Sequence, residues 1–302
     1  MPEPLDVLCV SDMCVDLILQ GNVRPRFGQV EQLVDAYHLE PGGSANIFAA
    51  QYAKLSGRSG LIGAVGKDVL GRFLSERLSA MGIDMSGVRE RSDLSTGLGV
   101  VLVEGSDRAM LTVPGTIDAV SRAELDGASA CRHWHIASFF LLARLRAHWP
   151  EWLSALRARG VTTSLDTNWD PEERWEGVRE LLPLVDVFLP NEQEARAISG
   201  QADVALAGQN LTAQGPLVVI KRGHQGALAF QGSSQWEVPS NPIDSGAIAD
   251  TIGAGDCFDA GFLRAWHAGW KIPDCLKLGV RCGESSLRAA GGYAAQLEEA
   301  IA

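Results

Sequence analysis

Residues 250–261 read Asp-Thr-Ile-Gly-Ala-Gly-Asp-Cys-Phe-Asp-Ala-Gly, a glycine-bearing loop that runs into an amphipathic helix with a carboxylate at the junction. Gly253, Ala254 and Gly255 are small enough for their backbone N–H groups to close on an oxyanion, and a helix N-terminus adds positive potential at the same point. Phosphate is the natural guest of such a loop. Asp256 falls in the first predicted turn, where the dipole favours its ionised form, so it can take a proton from a hydroxyl as that oxygen attacks phosphorus. A helix-capping Asp with no chemical role fits the same residues taken alone.

Other motifs of similar appearance are excluded by spacing. Ala64-Val65-Gly66-Lys67-Asp68 lacks the first Gly and the terminal Ser/Thr of a P-loop, since Leu61 and Asp68 occupy those places. Gly253-Ala254-Gly255 is followed by Gly only at 261, so the dinucleotide fingerprint is missing too. His133 and His135 share one face of a predicted strand, but no partner stands at metal-ligand spacing, and both are read as structural.

The segment Asp250–Phe262 closely resembles the C-terminal signature of the ribokinase-like (PfkB) carbohydrate kinases. Far upstream, Pro41-Gly42-Gly43-Ser44-Ala45-Asn46, the small residues 47–53 and Gly63 to Gly71 look like the N-terminal signature of the same family. Between them, Asn191-Glu192-Gln193-Glu194 is similar to the family's Asn-x-x-Glu element, Asp166-Thr167-Asn168 to its Asp-x-Asn element, and Asp12 with Asp16 to the acidic end of its first strand. The resemblance covers nearly the whole chain. Two departures are visible: only Ser44 and Ala45 separate Gly43 from Asn46, one residue fewer than the family usually has, and Cys14 stands where many sugar kinases carry a polar residue.

The resemblance implies an ATP- and Mg²⁺-dependent kinase with Asp256 as general base and Gly253 to Asp256 as anion hole. It implies that Asn191 and Glu194 organise Mg²⁺, Glu194 through water, as suits a cation that dehydrates reluctantly. Lys221, Gly223 and Gly226 are similar to the family's nucleotide-side loop, with Val280 and Gly283 beneath the base, and Asp250 with the carbonyl of Ile252 stands where the family binds K⁺. On the sugar side, a buried Asp16 can accept from two hydroxyls, with Gly42, Gly43, Asn46 and Asp166 adding further groups. The expected acceptor is a hydroxymethyl group of a small sugar. A ribonucleoside kinase and a catalytically silent sugar-binding regulator are the alternatives; the expected lid strands offer a nucleobase only Tyr37 and Phe27 as aromatic platform, which favours a free sugar.

These groups need a scaffold, and the composition supplies one. The 302 residues are 46% hydrophobic, enough for one large α/β domain, and the net charge of −11 argues against nucleic acid or an anionic membrane as partner. Six scattered cysteines without CxxC, no long apolar stretch and a polar N-terminus place the protein in the cytoplasm. Strands are predicted at 7–10, 60–65, 134–137, 161–165, 187–189 and 217–220, with helices at 45–56 and 69–81 and further helical segments between the later strands. That alternation predicts a doubly wound, mostly parallel sheet sandwiched by helices as a single domain, 1–302. Residues 17–40 and 97–113, with a turn at Glu104-Gly105-Ser106-Asp107, break the rhythm and are expected to form a small β lid that in the family often mediates homodimer contacts.

Overall fold

The computed structural model describes residues 3–104, 107–244 and 248–301. The strands are β1 (Leu5–Val10), β2 (Cys14–Gln20), β3 (Ala36–Gly42), β4 (Ser59–Gly66), β5 (Asp84–Arg91), β6 (Gly97–Glu104) and β7 (Asp107–Val113). After them come β8 (Cys131–Ile136), β9 (Thr162–Leu165), β10 (Val187–Phe188), β11 (Leu217–Lys221), β12 (Ala227–Gln231) and β13 (Ser234–Val238). The helices are α1 (Ser44–Lys54), α2 (Val69–Ala80), α3 (Arg122–Asp126), α4 (Trp149–Ala158), α5 (Glu192–Ser199), α6 (Val204–Thr212), α7 (Ala254–His267) and α8 (Ile272–Ser286).

Two sheets result. The large one has the order β13-β12-β11-β10-β9-β8-β1-β4-β5 and is parallel from β11 to β5, with β12 and β13 closing one edge as an antiparallel hairpin. Strands buried on both faces read as continuous apolar runs, as Leu217-Val218-Val219-Ile220 does, and successive residues serve opposite layers. Val7 and Cys9 face the core under α1, α2, α7 and α8, whereas Leu8 and Val10 face the core under α3 to α6. This is the expected doubly wound sandwich. Chain order runs outward from β1 through β4 to β5 on one side and from β8 through β9 and β10 to β11 on the other. The reversal between β1 and β8 opens a crevice at the carboxyl ends of those strands, the place where such sheets bind ligands.

The small sheet has the order β3-β2-β6-β7, with β2 and β6 parallel and both outer pairs antiparallel. Its bounds correct the sequence reading: it begins at Cys14, so Asp16 lies inside β2 and not at the end of the first strand, and residues 21–35 carry no strand. Of the turn expected at 104–107, Gly105 and Ser106 lie outside the described residues. β5, β12 and β13 went unforeseen; β5 is polar and half-buried and shows no apolar alternation. No described helix is long and apolar enough to cross a membrane. His133 and His135 are buried, share the Ser164 hydroxyl at 2.7 Å, and burial pushes His135 down to about 3, so both are neutral core groups.

Candidate active site

A cleft of about 990 Å³ opens at the carboxyl edge of the large sheet, and the small sheet contributes Cys14, Asp16, Gly99, Arg108, Met110 and Thr112 to its wall. The N-terminus of α7 forms its floor. Gly253 caps that helix in the left-handed region (φ 74°), and a Cβ there would sit 2.9 Å from the Ile47 side chain, so the sharp entry needs Gly on two counts. The first N–H groups of an α-helix have no intrahelical acceptor, which leaves those of Ala254, Gly255 and Asp256 available to an anion in the cleft.

Asp256 lies on the cleft wall at 8% exposure. Burial, with Asp166 and Asp12 nearby, holds its carboxyl well above the ordinary carboxylate range, against the opposing pull of Lys221 and the Ser44 hydroxyl. A carboxylate whose ionised form is held at such expense is a stronger base than one in water.

Beside it lies a buried ion triad. The Lys221 ammonium, delivered by the end of β11, meets Asp166 at 2.7 Å and both oxygens of Asp259 at 2.9 and 3.1 Å. These two carboxylates push Lys221 up, and Lys221 in turn pulls Asp166 below its usual range despite complete burial. Lys221 and Asp166 were expected on the nucleotide and sugar sides respectively; the structure joins them across the space between.

Asn191 and Glu194 form a capping box on α5. The Asn191 Oδ1 accepts from the Glu194 N–H (2.9 Å), while the Glu194 carboxylate accepts from the Asn191 N–H (2.8 Å) and Nδ2 (2.7 Å). Glu194 is nevertheless no solvated cap residue: it is 3% exposed, lines the cleft, and burial with repulsion from Asp166 pushes it up to about 7.

On the other half of the cleft, Asp16 is buried and pushed up to about 7, chiefly by burial and then by Asp12, with Arg108 opposing. Gly42 and Gly99 flank it; a Cβ on either would fall 2.4–2.6 Å from its carboxylate. Gly42 therefore acts by leaving space. Asp12, in the turn after β1, accepts from the Ser138 hydroxyl (2.8 Å) and from the N–H groups of Ser44 (3.3 Å) and Ala45 (3.4 Å), which ties the ends of β1 and β8 to α1. Gly43 lines the cleft at φ 89°. Asn46 does not: it is fully buried, donating to the Gly42 carbonyl (2.6 Å) and accepting from Ser11 (2.7 Å), so it braces the short turn from behind.

At the far end, Gly223, Gly226, Val280 and Gly283 line the cleft, and a Cβ at Gly283 would meet the Ala254 carbonyl at 3.1 Å. Asp250 lies off the cleft wall, its two oxygens accepting from the N–H groups of Ile252 and Gly291 at 3.0 Å each. No described cluster of three or more His, Cys, Asp or Glu is arranged for a metal, so a divalent cation here would have to lean on phosphate oxygens and water.

Sequence reasoning placed Asn168 near the substrate but missed Ser138, Arg108 and Trp169 and gave Ser44 no role. Ser44, Ser138 and Asn168 form one polar cluster, with the Asn168 amide donating to both hydroxyls at 2.5 and 3.0 Å. Arg108 reaches from β7 to the Thr251 hydroxyl (3.1 Å), linking the small sheet to the loop before Gly253. Trp169 lines the cleft, whereas Phe27 and Tyr37, the expected aromatic candidates, are 96% and 70% exposed and lie off its wall. Trp169 directly follows the Asp166-Thr167-Asn168 element, a positional signal that could have revealed it.

Comparison with known proteins finds kinases that match over most of the chain. A model of the pfkB family carbohydrate kinases matches residues 5–299. A fructokinase of Klebsiella pneumoniae is 30% identical over 305 residues, covering 95% of this chain and 94% of its own, and a cytidine kinase of Thermococcus kodakarensis is 29% identical over 265 residues, covering 84% and 90%. An E. coli ribokinase II solved with ATP and Mg²⁺ superposes with a TM-score of 0.85 at 23% identity, over 97% of this chain and 96% of that one.

Proposed function

Because the chain belongs to the pfkB family of carbohydrate kinases, we propose that it transfers the γ-phosphoryl group of ATP to a hydroxymethyl group on a sugar, with Asp256 as general base. One observation carries this reading: Asp256 and the open N–H groups of α7 meet on the floor of one cleft, between the carboxylates Asp12 and Asp16 on one side and the Gly226, Val280 and Gly283 wall on the other. ATP lies along that second wall with its phosphates on the N-terminus of α7. The acceptor hydroxyls bond to Asp16, which puts the reacting hydroxymethyl oxygen against Asp256. Asp256 takes the proton as that oxygen attacks phosphorus, and the N–H groups of residues 254–256 hold the charge that builds on the transferring oxygens.

Mg²⁺, when bound with ATP, would neutralise phosphate charge in this site. The high pKa of Glu194 marks a carboxylate short of counter-charge, and a hydrated cation supplies it. Asp250 and the Ile252 carbonyl, which faces Gly292, supply oxygens for K⁺ in the same reading. Glu194→Gln should raise the Mg²⁺ concentration for half-maximal rate about tenfold, as loss of an outer-sphere partner typically does. An unchanged Mg²⁺ titration would reduce Glu194 to a helix cap. The decisive assay offers sugars and nucleosides with ATP and Mg²⁺; a folded protein that binds ATP but transfers phosphate to none of them would be a sugar-binding regulator. An ATP-dependent reaction and six free thiols suit a cytoplasmic enzyme.

The partner we propose for the small sheet is a second copy of this chain. Cross-strand register puts Leu17, Leu39, Val100 and Leu111 on the face opposite Asp16, and Leu19, Tyr37 and Leu102 beside them. Leu111 is 60% and Tyr37 70% exposed, and an apolar sheet face of this kind usually marks an interface. Light scattering should find a dimer that Leu111→Glu converts to monomer; a monomeric wild type at micromolar concentration would overturn this.

A further inference from the structure

The acceptor half of the cleft is more apolar than a bare polyol needs. Trp169 (48% exposed), Leu141 (37%) and Met110 (51%) are large apolar side chains left open to solvent, and all three stand on the cleft wall. Exposed apolar groups that gather in a concave site, beside a few fixed polar ones, mark a ligand surface. The indole is also held in place. Asn168, in the left-handed region at φ 53°, is anchored to Ser44 and Ser138, which sets the backbone just before Trp169. The Trp169 ring then packs edge-to-face on Trp175 (5.1 Å, 89°), and Trp175 packs in the same way on Phe140 (5.6 Å, 88°). The Arg146 guanidinium lies 5.4 Å from the Phe140 ring centre and steadies the base of the column. A rigid, half-exposed indole loses little entropy when a flat ring stacks on it.

We propose that this wall binds a planar, largely apolar group carried by the sugar, so that the acceptor is an N-glycoside of the nucleoside type and not a free sugar. The inference rests on the kinase reading above and narrows its substrate. In that site the sugar hydroxyls are met by Asp16, and the hydroxymethyl group is directed at Asp256. A substituent on the anomeric carbon, across the ring from the hydroxymethyl group, then points away from the anion hole and meets the apolar wall. A hydroxyl in that place would gain little from the mainly apolar side chains of Trp169, Leu141 and Met110, whereas a flat ring would remove part of their exposed surface from water. The sequence-based preference for a free sugar depended on Tyr37 and Phe27 being the available aromatic residues; Trp169 removes that ground.

The test compares cytidine, adenosine, ribose and fructose as acceptors at saturating ATP and Mg²⁺, in wild type, Trp169→Ala and Trp169→Phe. Expected are a kcat/KM for at least one nucleoside ten or more times that for ribose, and a rise of about 10- to 100-fold in nucleoside KM in Trp169→Ala, the usual worth of one stacking platform. Trp169→Phe should recover most of that loss, the KM for ATP should stay within about twofold, and the kcat/KM for ribose should fall far less than that for the nucleoside; that inequality separates lost stacking from a general structural defect. Ribose or fructose outperforming both nucleosides would overturn the proposal and leave the kinase reading standing. So would a Trp169→Ala variant that loses ribose and nucleoside activity in equal measure. Absence of transfer to every acceptor by folded, ATP-binding protein would instead overturn the kinase reading.

Discussion

Asp256→Asn is expected to lower kcat by about 10² to 10⁴ while the KM for ATP changes by no more than a few-fold. The amide keeps the shape and the helix position but cannot accept the proton that the acceptor hydroxyl must lose. The N–H groups at the start of α7 stay in place, because they belong to the backbone and not to this side chain, so ATP affinity should be retained. Steady-state kinetics with ATP and Mg²⁺ decide the matter; a kcat within a few-fold of wild type would return Asp256 to the role of a helix-terminal Asp. The pH profile supplies a second readout. Only the ionised form is a base, and burial with Asp166 and Asp12 raises its pKa, so kcat/KM should climb with pH over a range above that of an ordinary carboxylate. That climb should flatten in Asp256→Asn.

Asp16→Ala is expected to lose roughly 10⁴ in kcat/KM for the acceptor, with little change in the KM for ATP. A site built to bind hydroxyls rejects whatever leaves its groups unpaired, and the same holds when the site loses the group. Asp16 also has a measurable cost in the free protein. Its folded pKa of about 7 lies above the ordinary value, so between about pH 4 and pH 7 the folded protein holds a proton that the unfolded chain releases. Stability contributed by this group therefore falls as pH rises through that window, and above it the buried charge is a fixed penalty. Asp16→Asn removes the penalty and should raise Tm at pH 8 while depressing activity; thermal denaturation of the two proteins at pH 5 and pH 8 checks this. A variant no more stable than wild type at pH 8 would mean that Arg108 and solvent already compensate the charge.

The most legible parts of the sequence were those in which local chemistry and local structure coincide. Gly253 to Asp256 could be read as a tight turn into a helix because small residues and a first-turn carboxylate agree over a few positions, and the structure builds that turn with Gly253 as a left-handed cap. Leu217 to Ile220 could be read as a strand buried on both faces for the same reason. The hairpin β12–β13 and the polar edge strand β5 were opaque, since their pairing depends on neighbours distant in sequence and not on their own pattern.

The sequence by itself determined the fold class, the family resemblance and the position of the glycine turn into α7, because these follow from short segments whose meaning does not depend on the rest of the chain. Only the tertiary structure decided which side chains share the cleft. Asp16 belongs to the small sheet, Asn46 turns inward to brace Gly42, and Lys221 pairs with Asp166 and Asp259 across 55 and 38 residues of sequence. Trp169 reaches the cleft because the β9 loop is fixed by serines from α1 and the end of β8. Burial, and with it every raised or lowered pKa in the site, is a property of packing between distant segments, and no local stretch of sequence encodes it.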